Sequence, residues 1–598
     1  MISPFAMDEI AQVVSETVAQ CRDQGKVVSE TLAAFVARAV IYDHPERFQL
    51  DKELREDDVR DLIRACVDRL IEKDSPSLET VTMQVAFDEA YVSAEEKLQQ
   101  EQVVREAKLS ELRDSIVSVR AKGGSGDFES LTRIYRQIFA YLMVRVGMES
   151  GGDRNVESEI AAALESVFPR IGLKSFILMT SDEKVAQLTE LSSIVLGIRL
   201  FNREIGRGGA GLRDLTVTSF NKVATFNEQV QKDLAEVAEL CQGYTDVLLY
   251  CHNRRDAGEA GGEGGEAGGA GEEADGGRIK RWQDEMTNRR QYLAYLQSLQ
   301  EDGHLSHQKV SAAREAFIRE MDDLKALVGS RTSVPKEAVY PKFDVLARYY
   351  LALAEELKYV EARESTLGIL HSFRNSYETT LGLEWIQRAR GAKRQSVAAS
   401  MSAGGESKDG GGGGKTADDG KAGDGADDGK AGDEGKSSSQ EGGKDGAGDD
   451  DEETPARLSI ESTPEFMQLP LEYQGYCPWT LVHRDGLLLP GNPSLGVLRH
   501  KNTFNVFVSE QALQDFTANP GKYVRGVVDV ARKAPELIHL LRLQDHFPQA
   551  SLAYLTQGLR AATGGGGGRH PLLHPGAPDT RDAGTETPLH FVEKVRES

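Results

Sequence analysis

Hydrophobic positions recur at intervals of three and four along most of the chain, which predicts a mostly helical protein. Val59, Leu62, Ile63, Cys66, Val67 and Leu70 share one helical face, and so do Leu32, Phe35, Val36, Ala39 and Val40. Ser29 stands where the second set needs an N-cap. The longest stripe is Leu131, Ile134, Tyr135, Ile138, Phe139, Leu142, Met143 and Val146, stopped by Gly147. Stripes at this spacing are helix–helix core rather than chemistry. Between Ala94 and Arg120 Glu, Lys, Gln and Arg replace the apolar residues, the pattern of an exposed helix or a short coiled coil.

Helical pattern resumes at Arg278 in RIKRWQDEMTNRRQYLAYLQSL and runs to about Arg390, with a break at Ser333-Val334-Pro335. The period changes after Pro455. Thr480-Leu481-Val482, Val497-Leu498 and Phe504 through Val508 read as short strands between Gly, Asn and Pro turns. Ser509 should cap a helix reaching Ala518, and 522–532 and 536–542 read as helices. These elements make a small α+β domain, with Trp479, Phe504, Phe507, Phe516 and Tyr523 as its aromatic core.

Charge separates the folding segments from the rest. The 598 residues carry a formal charge of -24, but Asp256 to Asp275 hold seven acids and no base. Ala403 to Glu453 hold sixteen acids against six lysines. Gly- and Asp-rich sequence without aromatics buries too little apolar surface to offset chain entropy, so both stretches read as disordered acidic linkers. The expected organisation is a helical region over 1–122, a helical domain with a Gly-rich turn over 127–255, and a linker over 256–277. A helical region over 278–390, a disordered linker over 391–456, the α+β domain over 457–548 and a tail over 549–598 complete it. Five scattered cysteines, Cys21, Cys66, Cys241, Cys251 and Cys477, read as reduced thiols of a cytosolic compartment. The start MISPFAMDEIAQVV has no secretory pattern, and no apolar run is long enough to span a membrane.

Several stretches imitate chemistry. GIRLFNREIGRGGAG, Gly197 to Gly211, ends in G-x-G-x-x-G, which cradles a dinucleotide only between a strand and a helix. Here Thr180 and Glu183 stand in capping-box spacing, and Val185, Leu188, Leu191, Val195 and Ile198 continue as a helix. The glycines should therefore end one helix and turn the chain into another through positive φ. GGGGGKT, Gly410 to Thr416, lacks the leading glycine of a phosphate-binding loop and lies in the second linker. His304 with His307, and His570 with His574, lack the Cys or carboxylate partners of a tetrahedral metal site and read as surface histidines. No catalytic, cofactor-binding or metal-binding residue is assigned. Two basic sets are ambiguous between a solvated face and contact with an acidic partner, such as a tubulin surface or a calmodulin-like protein. They are Arg278, Lys280, Arg281, Arg289 and Arg290 beside Trp282, Tyr292 and Tyr295, and Arg388, Arg390, Lys393 and Arg394.

Two resemblances add to this. Val506-Phe507-Val508-Ser509, Phe516, Asn519-Pro520 and Tyr523 are similar to the metal-binding YHS or TRASH module. Where that module has cysteines this chain has Val508 and Ala512, and its opening C-x-x-C survives only as Cys477 with Thr480. The likeness implies that fold with its metal ligands lost. GIRLFNREIGRGGAG and YCPWTLVHRDGLLLPGNPSLGVL, Tyr476 to Leu498, closely resemble the cilia- and flagella-associated protein 206 family. That resemblance implies a non-enzymatic structural protein of the motile axoneme, docking the second radial spoke and an inner-arm dynein on the outer doublet microtubule. It implies radial spoke base proteins, inner-arm dynein, tubulin and a calmodulin-containing spoke-associated complex as partners, with no nucleic acid, membrane or cofactor. It implies a cytoskeletal location in the cytoplasm, in the axoneme and at the basal body. The alternatives are a cytosolic helical scaffold unconnected with cilia and a nucleotide-binding enzyme.

Overall fold

The computed structural model describes residues 4–48, 55–119, 128–146, 153–256, 270–329, 334–403, 455–458, 469–551 and 555. The GGGGGKT stretch, the His570 and His574 pair and most of both acidic stretches lie outside them. The described residues divide between two compact units, one drawn from 1–243, 276–380 and 527–598 and the other from 244–275 and 381–526.

The first unit is helical. It opens with α1 (Pro4–Asp23), α2 (Glu30–Asp43) and α3 (Glu56–Ile71), which pack on one another. Ser29 Oγ accepts from Leu32 N–H and caps α2, and Leu62, Cys66 and Leu70 of α3 are fully buried. Next come α4 (Pro76–Val117), α5 (Phe128–Arg145), α6 (Arg154–Val167), α7 (Leu173–Leu178) and α8 (Ser181–Glu204). α9 (Leu215–Asp256), α10 (Ala270–Gly329) and α11 (Lys336–Ser372) are long, and the stretch of α9 beyond Gly243 and the start of α10 before Gly276 are counted with the second unit. Of the Ala94–Arg120 segment, the part up to Val117 is thus the second half of α4, and Arg120 lies outside the described residues. The last turn of α4 is closed by the buried Lys184, whose Nζ donates to the carbonyls of Val117 and Val119.

Among the described residues two cores of this unit stand out. One joins α4 to α11 through Phe87, Leu200, Phe226, Leu296, Leu346 and their neighbours. The other gathers Ile134, Ile138 and Leu142 of the long stripe with Ile160, Leu164, Phe176, Leu188 and Val195. α8 and α11 cross so closely that a Cβ at Gly197 would strike the backbone of Phe343, which is why a glycine sits inside a helix there.

The second unit contains α12 (Leu383–Ala403), α13 (Pro478–His483), α14 (Glu510–Ala518) and the start of α15 (Pro520–Lys533). Its sheet is β1 (Ala456–Leu458), β2 (Val497–His500) and β3 (Thr503–Asn505), antiparallel in the order β1-β2-β3. The short α16 (Glu536–Leu540) belongs to the first unit. Ser509 caps α14 as expected, accepting from Ala512 N–H at 3.2 Å. Two strand expectations are corrected. Thr480-Leu481-Val482 lies in α13, where Pro478 at the first helical position suits the helix and Cys477 precedes it in extended geometry. β3 ends at Asn505, and Val506 to Val508 leave the sheet as the Phe507 carbonyl accepts from Asn492 N–H. α10 begins at Ala270 and α12 ends at Ala403, so helix occupies the end of one stretch read as linker and the start of the other.

Candidate functional site

The glycine turn is built by the end of α8. Thr180 and Glu183 form the capping box at its start, with Glu183 N–H donating to Thr180 Oγ1 and Thr180 N–H to Glu183 Oε2. At its end Arg207 N–H donates to Asn202 O at 2.7 Å and Gly206 N–H to Arg203 O at 3.0 Å. With Gly206 at φ 71, this is the paired closure of a Schellman motif. The chain then turns through Gly208, Gly209 and Gly211, all at positive φ, and α9 follows. The G-x-G-x-x-G therefore joins two helices, as its flanks predicted.

This loop does form an anion cradle, and the protein itself fills it. Gly209 N–H donates to Glu159 Oε2 at 2.8 Å, and Ala210 N–H lies 3.0 Å from Oε2 and 3.2 Å from Oε1 of the same carboxylate. Successive backbone N–H groups pointing at one carboxylate are the arrangement that elsewhere holds phosphate. Arg199 Nη2 lies 3.3 Å from Glu159 and also donates to the Ala210 carbonyl. Only 1% of Arg199 is exposed, and burial pulls its guanidinium below the usual range while Glu159 opposes that shift. Arg203 ties the far side to the Arg213 carbonyl at 2.8 Å and to Asp214 at 3.1 Å. Asp214 starts α9 by accepting from Thr216 Oγ1 and Val217 N–H. Sequence reasoning found the turn but not Glu159, because nothing near that residue marks a partner about fifty positions away.

The first basic set turns inward. Trp282, Arg289, Tyr292 and Tyr295 are buried. Arg281 grips the fully buried Glu285 at 2.9 Å and Asp74 at 3.0 Å, and Glu285 also accepts from Thr380 N–H and Oγ1. Arg289 donates to the Arg374 carbonyl at 2.7 Å and stacks 4.8 Å from the Tyr377 ring. Tyr377 Oη donates to the Glu285 carbonyl, and burial pushes its phenol well above the ordinary range. Those arginines thus bind this unit's own acids and carbonyls, while Arg278 and Lys280 stay exposed. Asp74 serves the cluster from a left-handed conformation at φ 58, which its position in a short loop did not reveal. His304 is exposed and His307 packs against Phe220 at 5.6 Å. Among the described residues no three His, Cys, Asp or Glu side chains gather as metal ligands do.

In the second unit Cys477 is fully buried among Leu498, Phe507, Ala512, Phe516 and Tyr523. Burial pushes its thiol up, opposed by hydrogen bonds from the backbone of Thr480, Val508 and Trp479. A zinc ion fits this surrounding poorly, since Val508 and Ala512 offer no donor atom and one thiol cannot supply a tetrahedral set. Phe507, Phe516 and Tyr523 are buried as expected, whereas Trp479 and Phe504 are half-buried. Trp479 Nε1–H donates to Asp515 at 2.9 Å. Arg390 and Lys393 of the second basic set reach the buried Asp246 at 3.4 and 3.1 Å, while Arg388 and Arg394 are exposed.

Long helices whose charged clusters bind their own backbone and acids define a mostly helical protein. A sequence model of the FAP206 family, described as a domain of unknown function, matches residues 220–548. Cilia- and flagella-associated protein 206 of Tetrahymena thermophila is 32% identical over 603 residues, covering 98% of this chain and 84% of that protein. Its namesake in Danio rerio is 30% identical, covering 99% and 85%. The Homo sapiens namesake is 29% identical, covering 90% and 77%. No solved structure matches. The chain belongs to the cilia- and flagella-associated protein 206 family, and it is a cilium- and flagellum-associated protein.

Proposed function

We propose that the chain is a non-catalytic structural adaptor of the motile axoneme. It docks the second radial spoke and an inner-arm dynein on the outer doublet microtubule, and so supports ciliary beating. The observation that carries this proposal is the extent of the family likeness, which takes in nearly the whole chain. Its long helices supply surface for partners, and its most ligand-like loop is occupied by Glu159. In this proposal the C-terminal elements are a docking module with a YHS-like scaffold whose thiolate ligands have been replaced. The acidic stretches are linkers. Its neighbours are spoke base proteins, tubulin and a calmodulin-containing spoke-associated complex.

The test is electron tomography of axonemes from cells lacking the protein, and from the same cells restored with a tagged copy. Loss of the second spoke and its adjacent inner-arm dynein, with the tag at the spoke base on restoration, is expected. A complete set of spokes and dyneins in the deficient cells, or a diffuse tag outside the axoneme, would defeat the proposal.

A further inference from the structure

The second half of α12 carries an order of residues that helix packing does not require. Lys393-Arg394-Gln395-Ser396-Val397 places two bases three and two positions before a serine, and an apolar residue directly after it. The 598 residues contain five adjacent pairs of Lys or Arg, and this is the one pair followed two positions later by Ser or Thr. Arg388 and Arg390 extend the basic run upstream. Kinases that select substrates by charge pattern bind the peptide extended, so they sense bases by their order along the chain and not by their places around a helix.

The structure makes this serine reachable. Lys393, Arg394, Gln395 and Ser396 are all exposed. Ser396 Oγ donates to the Lys393 carbonyl at 2.9 Å, a bond within its own turn that competes with regular helix. Ala389 is the last buried residue among the described side chains of α12. Gly391 lowers the helix preference of the segment with no packing reason, since a Cβ there would meet nothing. Beyond Ala389, Arg390 and Lys393 tie the helix to the buried Asp246 at 3.4 and 3.1 Å. Unwinding the residues around Ser396 therefore exposes no core and breaks few contacts.

We infer that Ser396 is a phosphorylation site for a base-directed serine kinase, recognised through Lys393 and Arg394, and that its phosphate releases the end of α12. Ser396 Oγ attacks the terminal phosphorus of ATP held by the kinase. The bond from that phosphorus to the bridging oxygen breaks, ADP departs, and the hydroxyl proton passes to a kinase carboxylate. The product adds a charge of about −1.5 to −2 one turn after Lys393. Residues three apart are neighbours on a helix, so the phosphate competes with Asp246 for the Lys393 ammonium. This modification is independent of the docking function, and its test needs no axoneme.

The experiment incubates the full-length protein with ATP and, as the probe, the catalytic subunit of cyclic-AMP-dependent protein kinase. Phosphate is mapped by fragmentation mass spectrometry. It is expected on Ser396, at a rate about tenfold lower in Arg394→Ala, the change that loss of one charged contact brings. Arg394→Lys should recover most of that rate, and because Arg394 is exposed both variants should melt as wild type does. Hydrogen exchange over 390–396 should rise in the phosphorylated protein and stay unchanged in Ser396→Ala after the same treatment. No phosphate on Ser396, or equal rates in wild type and Arg394→Ala, would overturn the site. Unchanged exchange in protein phosphorylated at Ser396 would overturn the release of the helix end.

Discussion

The glycine turn and the C-terminal core both look like ligand sites in the sequence, and the protein fills each from within by opposite means. At the turn the occupant is a charge. Glu159 satisfies the Gly209 and Ala210 N–H groups and neutralises a buried arginine. In the C-terminal core the occupants are apolar. Phe507, Phe516 and Ala512 surround a thiol that lacks partner ligands. A polar cradle needs a polar occupant, because unpaired buried N–H groups are costly. A core built around a single thiol can instead be closed by hydrocarbon.

The largest effect should come from emptying the apolar core. Phe516 is fully buried, 5.1 Å from the Phe507 ring and 5.6 Å from that of Tyr523. Phe516→Ala should cost about 3–5 kcal/mol, enough to unfold a small domain. Hydrogen exchange should show protection lost over 477–523 and kept over 188–230. Wild-type protection at 477–523 would mean that this core does not hold its surroundings. Axonemal incorporation should fail with it.

Emptying the polar cradle should cost somewhat less. Glu159→Ala strips the acceptor from two N–H groups and leaves Arg199 without its carboxylate, about 2–4 kcal/mol together. Exchange at 206–214 should rise first, and Glu159→Gln should recover part of the protection. Unchanged exchange in the alanine variant would show that the turn holds itself.

Asp284 offers an intermediate case, a mostly buried carboxylate with weaker compensation. Burial raises it to about 6, with Glu536 adding to the shift and Lys280, 2.9 Å away, opposing it. Because the folded value lies above the unfolded one, its contribution to stability is fully present below about pH 4 and lost as pH rises through about 6. Wild type should thus lose up to about 3 kcal/mol between pH 4 and 7 relative to Asp284→Asn. Parallel stability profiles for the two proteins over that range would remove Asp284 as the cause. The smallest effect belongs to Cys477→Ser, about 1 kcal/mol, since the new hydroxyl keeps backbone partners nearby. Unfolding accompanied by release of zinc in that variant would contradict the closed core.

Local features were legible in the sequence. The caps at Ser29 and Thr180, the Ile134 to Leu142 stripe and the glycine turn depend on neighbours within a few residues, so spacing alone exposes them. The misread segment Thr480–Val482 has β-branched residues, but Pro478 outweighs them by starting a helix. What spacing could not reveal were the partners. Glu159 is about fifty residues from its N–H groups, Asp74 some two hundred from Arg281, and Asp246 well over a hundred from Arg390. The same limit made Arg281 and Arg289 look available to an outside acid when tertiary packing turns them inward.

The most direct measurement of the filled-from-within account is titration of the purified full-length protein with ATP, NAD and zinc, alongside the metal content of the protein as isolated. No saturable binding and no retained zinc are expected, because Glu159 holds the cradle and hydrocarbon holds the core. Saturable nucleotide binding abolished by Gly209→Val, or one zinc per chain lost on Cys477→Ser, would contradict it.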